Sequence, residues 1–429
     1  MTNSGQLKCT RFFLSIPVLL LIAFLMITMS GCSSEDSQNI SGQVTAGGAV
    51  LPGVKMTMTG ALSATATTDA NGNYTFGGIQ SGTVILTPSL AGYTFSPPSR
   101  TFILLGIDLG GLNYSGYFPS RLAISSHTVY RKDDGTVWTW GSNSNSQLGD
   151  GTTTDRSIPA RVNGLAGVTA VAAGSAHSVV LKGDGTVWAW GANSNGQLGD
   201  GTTTQRSTPV QVSTLIGVIA VAAGQSHSIA LRNRADLLID GTVWAWGSNS
   251  NGQLGSGTIL DTWIPIQVSG LSGVSAIAAG SFHTVALRNV ASLTNDGTLW
   301  AWGLDFNGQL GDGTTVDKLA PIIVSGLSLM TAIAAGANHT IALRNNGTIW
   351  TWGNNDSGQL GDGTVTQRLV TAPISGLTGV TALAGGIQNN IVLKTDGTLQ
   401  SWGSNNKGQL GDGSIVNRLV PTPVVIPAN

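Results

Sequence analysis

A unit of about 50 residues repeats six times along most of this chain, and this repetition limits the fold more than any other feature. Each copy carries a Trp-Gly pair, whose tryptophans are Trp140, Trp190, Trp246, Trp302, Trp352 and Trp402. Their spacings are 50, 56, 56, 50 and 50 residues, because two copies carry an insert of six residues. A repeat of this length is typical of solenoids and propellers, in which each unit packs against its neighbours.

The second copy indicates that the unit is a small antiparallel sheet. Val168–Gly174 alternates in side-chain character and ends on glycine, and His177–Leu181 reads as a second strand. Asp184-Gly185 is a strong hairpin signal before a third strand at Thr186–Trp190. A long turn-rich loop precedes a fourth strand that starts at Pro209, where proline does least harm. Four short strands per repeat predict a β-propeller, with a β-solenoid as the alternative.

Three motifs of the repeat carry a specific resemblance. They are Ala-Ala-Gly-x-x-His-Ser/Thr, Asp-Gly-Thr-Val-Trp-x-Trp-Gly and Asn-x-x-Gly-Gln-Leu-Gly-Asp-Gly, and together they cover roughly 300 residues. The unit closely resembles the regulator of chromosome condensation repeat family, whose members usually have seven blades. In the sixth copy Asn389 replaces the histidine and Gln400 the first tryptophan. We expect an all-β propeller of six four-stranded blades over 119–427, or of seven if other segments supply a blade.

Residues 40–118 predict a separate small β-sandwich. Alternating segments such as Val54–Thr59 and Thr83–Thr87 are separated by glycine-rich turns, of which Asp69–Asn73 is the densest. Ser41–Val44, Leu51–Val54 and the segment from Thr68 to Phe76 resemble the carboxypeptidase regulatory-like, or transthyretin-like, domain. The resemblance implies an accessory module without catalytic activity.

The N-terminal residues predict secretion. Lys8 and Arg11 precede an apolar run, Phe12–Met29, and Ser30-Gly31-Cys32 follows it. Residues 1–31 resemble a bacterial lipoprotein signal peptide, and the resemblance implies that Cys32 is lipidated. Residues 32–39 would then be a polar tether, and the protein would be anchored at the bacterial outer membrane or cell surface. A retained transmembrane helix and simple cleavage of the signal are the alternatives.

Composition argues against several classes of function. The net charge is −1 and no basic block occurs, so nucleic-acid binding is disfavoured. Glu35 is the only glutamate, and no phosphate loop, dinucleotide fingerprint or Gly-x-Ser-x-Gly motif stands in a strand-to-helix context. Neither a catalytic residue nor a cofactor is therefore predicted. The mature chain would carry no free thiol, since Cys9 would leave with the signal and Cys32 would bear lipid.

Two sets of repeated polar residues are candidate metal ligands. All five histidines occupy one repeat position: His127, His177, His227, His283 and His339. One imidazole per blade is too widely spread for a zinc site, so we expect each to bond backbone in its own turn. The loop aspartates, which lie at 150, 200, 312, 362 and 412, are too sparse for calcium. The basic residues that follow them should pair with a neighbouring blade, with an anion-binding ring as the alternative.

Differences between the copies suggest a candidate binding surface. Trp263, Phe282 and Phe306 stand where the second copy has Ser207, Ala176 and Ser194. These turns and loops share one propeller face, so the three rings could form an exposed aromatic patch, as in an interface hot spot. Local packing between loops is the alternative. The inserts at 233–240 and 289–296 would lie on the opposite face.

We therefore expect a non-enzymatic, lipid-anchored propeller that binds a protein or a glycan through its loops. An inhibitor of a secreted enzyme, such as the related propeller that blocks β-lactamases, is the first alternative. Guanine nucleotide exchange, known for one member of the family that the repeat resembles, is the second. That activity uses an inserted wedge, for which this chain has no counterpart.

Overall fold

The computed structural model describes residues 38–46, 49–79, 82–90, 93–96, 99–104, 108–117, 120–232, 241–288 and 297–426. Residues 1–37, which hold the predicted signal peptide and Cys32, lie outside these ranges, as do the two inserts. The described residues form eight β-sheets and no helix. Within them, accordingly, no helix is long and apolar enough to cross a membrane.

The first two sheets form a sandwich around one apolar core. Their strands are β1 Gln38–Ala46, β2 Ala49–Val50, β3 Lys55–Gly60, β4 Ala64–Thr67, β5 Asn73–Ile79, β6 Gly82–Ser89, β7 Thr94–Ser96, β8 Arg100–Leu104 and β9 Tyr114–Tyr117. One sheet has the order β4-β3-β6-β8, and the other β2-β1-β9-β7, with β5 also paired to β1. Side chains from both sheets, including Ile40, Met56 and Leu86, are fully buried in the core. The likeness of this segment to the carboxypeptidase regulatory-like domain stays a prediction.

The other six sheets each consist of one repeat, and they are called repeat sheets 1 to 6 in chain order. Each has four antiparallel strands in sequential order. The strands of sheets 1 to 3 are β10 Leu122–Ile124, β11 His127–Arg131, β12 Val137–Gly141 and β13 Arg156–Arg161; β14 Val168–Ala173, β15 His177–Lys182, β16 Val187–Gly191 and β17 Arg206–Gln211; β18 Val218–Ala223, β19 His227–Arg232, β20 Thr242–Gly247 and β21 Thr262–Gln267. Those of sheets 4 to 6 are β22 Val274–Ala279, β23 His283–Arg288, β24 Thr298–Gly303 and β25 Lys318–Ile323; β26 Met330–Ala335, β27 His339–Arg344, β28 Ile349–Gly353 and β29 Arg368–Pro373; β30 Val380–Gly385, β31 Asn389–Lys394, β32 Leu399–Gly403 and β33 Arg418–Pro423.

Local chemistry explains the hairpin that joins the second and third strands of a repeat. In repeat sheet 2 the Asp184 carboxylate accepts the backbone N–H of Thr186 at 3.0 Å. Gly185 has φ 78°, a left-handed conformation that glycine adopts without a steric penalty. Its N–H donates to the carbonyl of Lys182 at 2.9 Å, which closes the turn. The Asp-Gly pair therefore forms the turn that the sequence predicts.

Five apolar cores join consecutive repeat sheets. The core between sheets 5 and 6 is representative, since Ile341 and Leu343 of sheet 5 pack with Val392 and Trp402 of sheet 6. Repeat sheets 2 to 5 are thus each packed between two neighbours, as in a propeller. The predicted all-β architecture is confirmed. No described strand outside the six repeats adds a further sheet of the repeat type.

Candidate functional site

The histidines at the repeated position link consecutive sheets. Nε2 of His177 lies 3.0 Å from Oγ of Ser228 in the next sheet, and that hydroxyl donates to the carbonyl of Gln197 at 2.9 Å. The same contact is made by His127, His227, His283 and His339. The expectation that each imidazole bonds backbone in its own turn is wrong, because the partner is a side chain of the following repeat.

This hydrogen-bond pattern determines the tautomer. The Ser228 proton goes to the Gln197 carbonyl, so its oxygen accepts the proton of His177 Nε2. Nδ1 of His177 is then a bare acceptor, and it is buried without a hydrogen-bond partner among the described residues. Burial lowers the pKa of His177 to about 3 and that of His227 to about 4, so both imidazoles are neutral at pH 7. They are structural groups rather than general bases.

A tryptophan and a glycine complete the same contact. The indole Nε1 of Trp246 donates to the Gln197 carbonyl at 2.9 Å, which also accepts the Ser228 hydroxyl. The ring lies against Gly199, where a Cβ would approach Nε1 to 2.8 Å. Any larger residue at Gly199 would therefore displace the indole. Equivalent indole bonds join the other consecutive pairs of repeat sheets.

The loop aspartates form ion pairs within their own repeat. Asp200 accepts the Arg206 guanidinium at 2.6 Å and the Thr202 hydroxyl at 2.7 Å. These hydrogen bonds, together with the positive charge of Arg206, hold the pKa of Asp200 below its usual value in spite of burial. The predicted pairing with a neighbouring blade is thus wrong, because the basic residue folds back over its own loop. The third repeat has neither member of the pair, since Ser256 and Thr262 occupy the two positions.

Asp305 is the exception among the buried loop side chains. The other five copies have asparagine here, and Asn193, for example, donates through Nδ2 to Asp200 and to two carbonyls. The Asp305 carboxyl instead lies beside Asp312, to which it can donate a hydrogen bond only when it is protonated. Burial and the negative charge of Asp312 raise the pKa of Asp305 to about 7.

No metal centre is evident in the part of the chain that the structure describes. Within it, no three His, Cys, Asp or Glu side chains come together closely enough to hold an ion. Each buried histidine faces a hydroxyl or an amide of the next repeat rather than another ligand.

The predicted aromatic residues are exposed to different degrees and meet different neighbours. Trp263 is 52% exposed and packs over Gly196 of repeat sheet 2, whereas Phe306 is 73% exposed. The loop of Phe306 instead contacts Leu369 of repeat sheet 5, through Gly308. Phe282 is half-buried. Among the described residues no ring contact joins these three side chains, so their use as one binding patch stays a hypothesis.

Sequence reasoning missed the apolar residues around Trp263. Ile259, Leu260 and Ile264 are all at least half exposed, and with Trp263 they form an apolar ridge within six residues of chain. In the first two repeats the positions of Ile259 and Leu260 are threonine pairs, at 153–154 and 203–204. Aligning the long loops of the copies would have revealed this change. The uncharged pair Ser256 and Thr262 belongs to the same loop.

Comparison with known proteins identifies relatives of the repeat region. The family model described as the RCC1-like domain matches residues 122–429. The ultraviolet-B receptor UVR8 of Arabidopsis thaliana is 32% identical over 223 residues, 51% of this chain and 48% of that protein. The protein RCC2 homolog of Xenopus laevis is 34% identical over 110 residues, 24% of this chain and 20% of that protein. This chain thus spans at most about half the length of these curated relatives.

Two solved structures show the same architecture. Human WBSCR16 superposes with a TM-score of 0.63 and 25% identity, covering 76% of this chain and 85% of that chain. Prp20p of Saccharomyces cerevisiae superposes with a TM-score of 0.60 and 26% identity, covering 71% of this chain and 76% of that chain. The Prp20p structure was described together with the binding of that protein to Gsp1p and histones.

Proposed function

Because this chain belongs to the RCC1-like domain family, we propose that it is a non-enzymatic propeller that binds another protein through its loops. The apolar ridge, Ile259, Leu260, Trp263 and Ile264, is the observation that carries the proposal. Exposed aliphatic side chains grouped around a tryptophan are typical of a protein interface. Protein partners described for Prp20p agree with this class of ligand.

Apart from Asp261, which accepts hydrogen bonds from Asn195 and Asn249, the surroundings of the ridge fit an interface core. The loop that bears it is the only long loop of the six repeats without the Asp–Arg or Asp–Lys ion pair. Charged residues are depleted at the centres of protein interfaces, because burying them carries a desolvation penalty. An exposed aliphatic surface also fits a protein better than a carbohydrate, which needs hydrogen-bond partners.

Substitutions in the ridge should abolish partner capture without unfolding the protein. We expect Leu260→Ser combined with Trp263→Ala to remove the partner from a pull-down, because both side chains are largely solvent-exposed and available for contact. The matched control is Ile415→Ser with Val416→Ser, which changes the exposed loop pair of the sixth repeat. Capture followed by mass spectrometry, with thermal melting of each variant, measures the effect. Equal capture by both double variants would contradict the proposal.

We further propose that the protein is held at a membrane through a lipid on Cys32. The support is the sequence pattern that ends in Ser30-Gly31-Cys32, which lies outside the described residues. In the sequence, the sandwich of residues 38–117 lies between Cys32 and the repeat sheets.

Removing the thiol tests the anchor. Cys32→Ser should move the protein from the membrane fraction to the soluble fraction, because a serine hydroxyl cannot form the thioether that carries the lipid. Fractionation and immunoblotting measure the change, and Ser33→Ala serves as the neighbouring control. Continued membrane retention of the Cys32→Ser protein would point to the retained helix instead.

A further inference from the structure

Each sheet contributes one set of groups to the contact with the sheet before it and another set to the contact with the sheet after it. In the first and the sixth repeat sheets, one of these two sets meets no partner sheet among the described residues. Every consecutive pair of sheets packs through inner strands, but no such packing joins sheet 6 to sheet 1 among the described residues. In the five contacts that form, the earlier sheet offers a glutamine carbonyl and a glycine. The later sheet offers an indole N–H and, in four of the five, a hydroxyl. Within the described ranges, sheet 6 has no later neighbour and sheet 1 no earlier one.

The sixth-sheet face consists of Asn389, Ile391, Leu393, Gln409 and Gly411. Gln409 and Gly411 are exposed, whereas the glutamine and glycine at these positions are buried in the other five sheets. Ile391 and Leu393 are 36% and 38% exposed, although their counterparts in repeat sheets 2 to 5 are buried. This face therefore has the composition of an inter-sheet contact without its partner.

The first-sheet face consists of Thr128, Tyr130 and Trp140. Trp140 and Thr128 are only partly buried, while the tryptophan and the hydroxyl or amide at these positions in the other five sheets are fully buried. In those sheets the indole N–H donates to a glutamine carbonyl, but the N–H of Trp140 has no partner among the described residues. Tyr130 is 36% exposed where every other repeat sheet buries an alanine or a valine.

The long loop of sheet 6 also lacks the backbone hydrogen bond that joins the long loops of consecutive sheets. The N–H of Gly201 donates to the carbonyl of Trp263 in the next sheet, and four equivalent bonds join other pairs of sheets. In the part of the chain that is described, the N–H of Gly413 in sheet 6 has no such acceptor. The apolar packing and the hydrogen bonds between loops therefore both stop between sheet 6 and sheet 1.

We propose that the sixth-sheet and first-sheet faces together bind one further repeat unit, a four-stranded sheet of the same type supplied by another polypeptide. Its indole and hydroxyl would donate to the carbonyl of Gln409, and its own glutamine carbonyl would accept the indole N–H of Trp140. The five inter-sheet contacts within this chain are the pattern that such a unit would repeat at each of the two faces. All described strands of the chain already belong to other sheets.

Hydroxyl-radical footprinting of the full chain is the first test. Trp140 should be oxidised several times faster than Trp190, Trp246 and Trp302, which are fully buried. Protection of Trp140 equal to that of the other three would overturn the proposal. If the protected protein is monomeric by light scattering, the ring closes on itself, and if it is dimeric, a second copy covers the faces.

A tethered unit is the second test. The chain to Val424 is followed by a copy of residues 325–374, which continues the repeat in register and carries both contact surfaces. We expect the oxidation of Trp140 to fall to the rate of Trp190 and the melting temperature to rise by about 5 °C or more. The same extension on a chain with Ile391→Glu and Leu393→Glu should change neither quantity. An added unit that leaves Trp140 reactive would overturn the proposal.

Discussion

Acidification from pH 6.5 to about 4 should remove most of the stability of this protein. Five histidines are buried as neutral groups, and burial lowers their pKa values to about 3 or 4 from 6.5. In the unfolded chain these groups bind protons below pH 6.5, whereas in the folded protein they stay neutral. Unfolding therefore takes up protons in this range, and stability is lost as the pH falls.

Asp305 opposes this effect, but only in part. Its pKa is raised to about 7 in the fold, so between pH 4 and 7 the folded protein holds a proton there that the unfolded chain releases. The net uptake on unfolding near pH 5 is about four protons, which corresponds to roughly 5 kcal/mol per pH unit. The loop aspartates, whose pKa values are lowered, add a further loss only below about pH 4.

Urea unfolding followed by circular dichroism at a series of pH values measures this slope. The matched variant is His283→Asn, which introduces the residue that the sixth repeat has at this position. It should make the slope shallower by about one proton, or roughly 1.4 kcal/mol per pH unit. An unchanged slope in this variant would show that the histidines do not control acid unfolding.

The second large effect is the loss of a tryptophan between two repeat sheets. Trp302 is fully buried in the core between sheets 3 and 4, and its indole donates to the carbonyl of Gln253 at 2.9 Å. Trp302→Ala should lower the free energy of unfolding by about 3–5 kcal/mol, because it leaves a cavity and removes the hydrogen bond. Denaturant titration of the wild type and the variant measures the difference.

Trp263 provides the control for this substitution. Its ring is half exposed and rests on the loop of the preceding repeat, so Trp263→Ala should cost only about 1 kcal/mol. The contrast separates a packing tryptophan from a surface one within the same protein. A loss as large as that of Trp302→Ala would show that Trp263 packs between the sheets and is unsuited to binding.

The candidate site was only partly predictable from the sequence. Trp263 and Phe306 stand out because the other copies have different residues at their positions, and both proved exposed. Ile259 and Leu260 carry a weaker signal, because the sixth copy also has an aliphatic pair, Ile415 and Val416, at these positions. Trp263 packs on the second repeat, whereas the loop of Phe306 contacts the fifth. These neighbours could not be predicted, because the residues that meet are far apart in the sequence.

The sequence by itself determined the repeat, its four strands and its hairpins. These features depend on groups close together in the chain, such as Asp184, Gly185 and Thr186, whose turn forms wherever the residues occur. Tertiary structure alone decided the partners of His177 and Arg206, one in the next sheet and one in its own loop. It also decided that, among the described residues, sheet 6 does not pack on sheet 1 as consecutive sheets pack on each other. Similar units encode similar local folds, but the spacing and curvature between them arise only when the sheets pack.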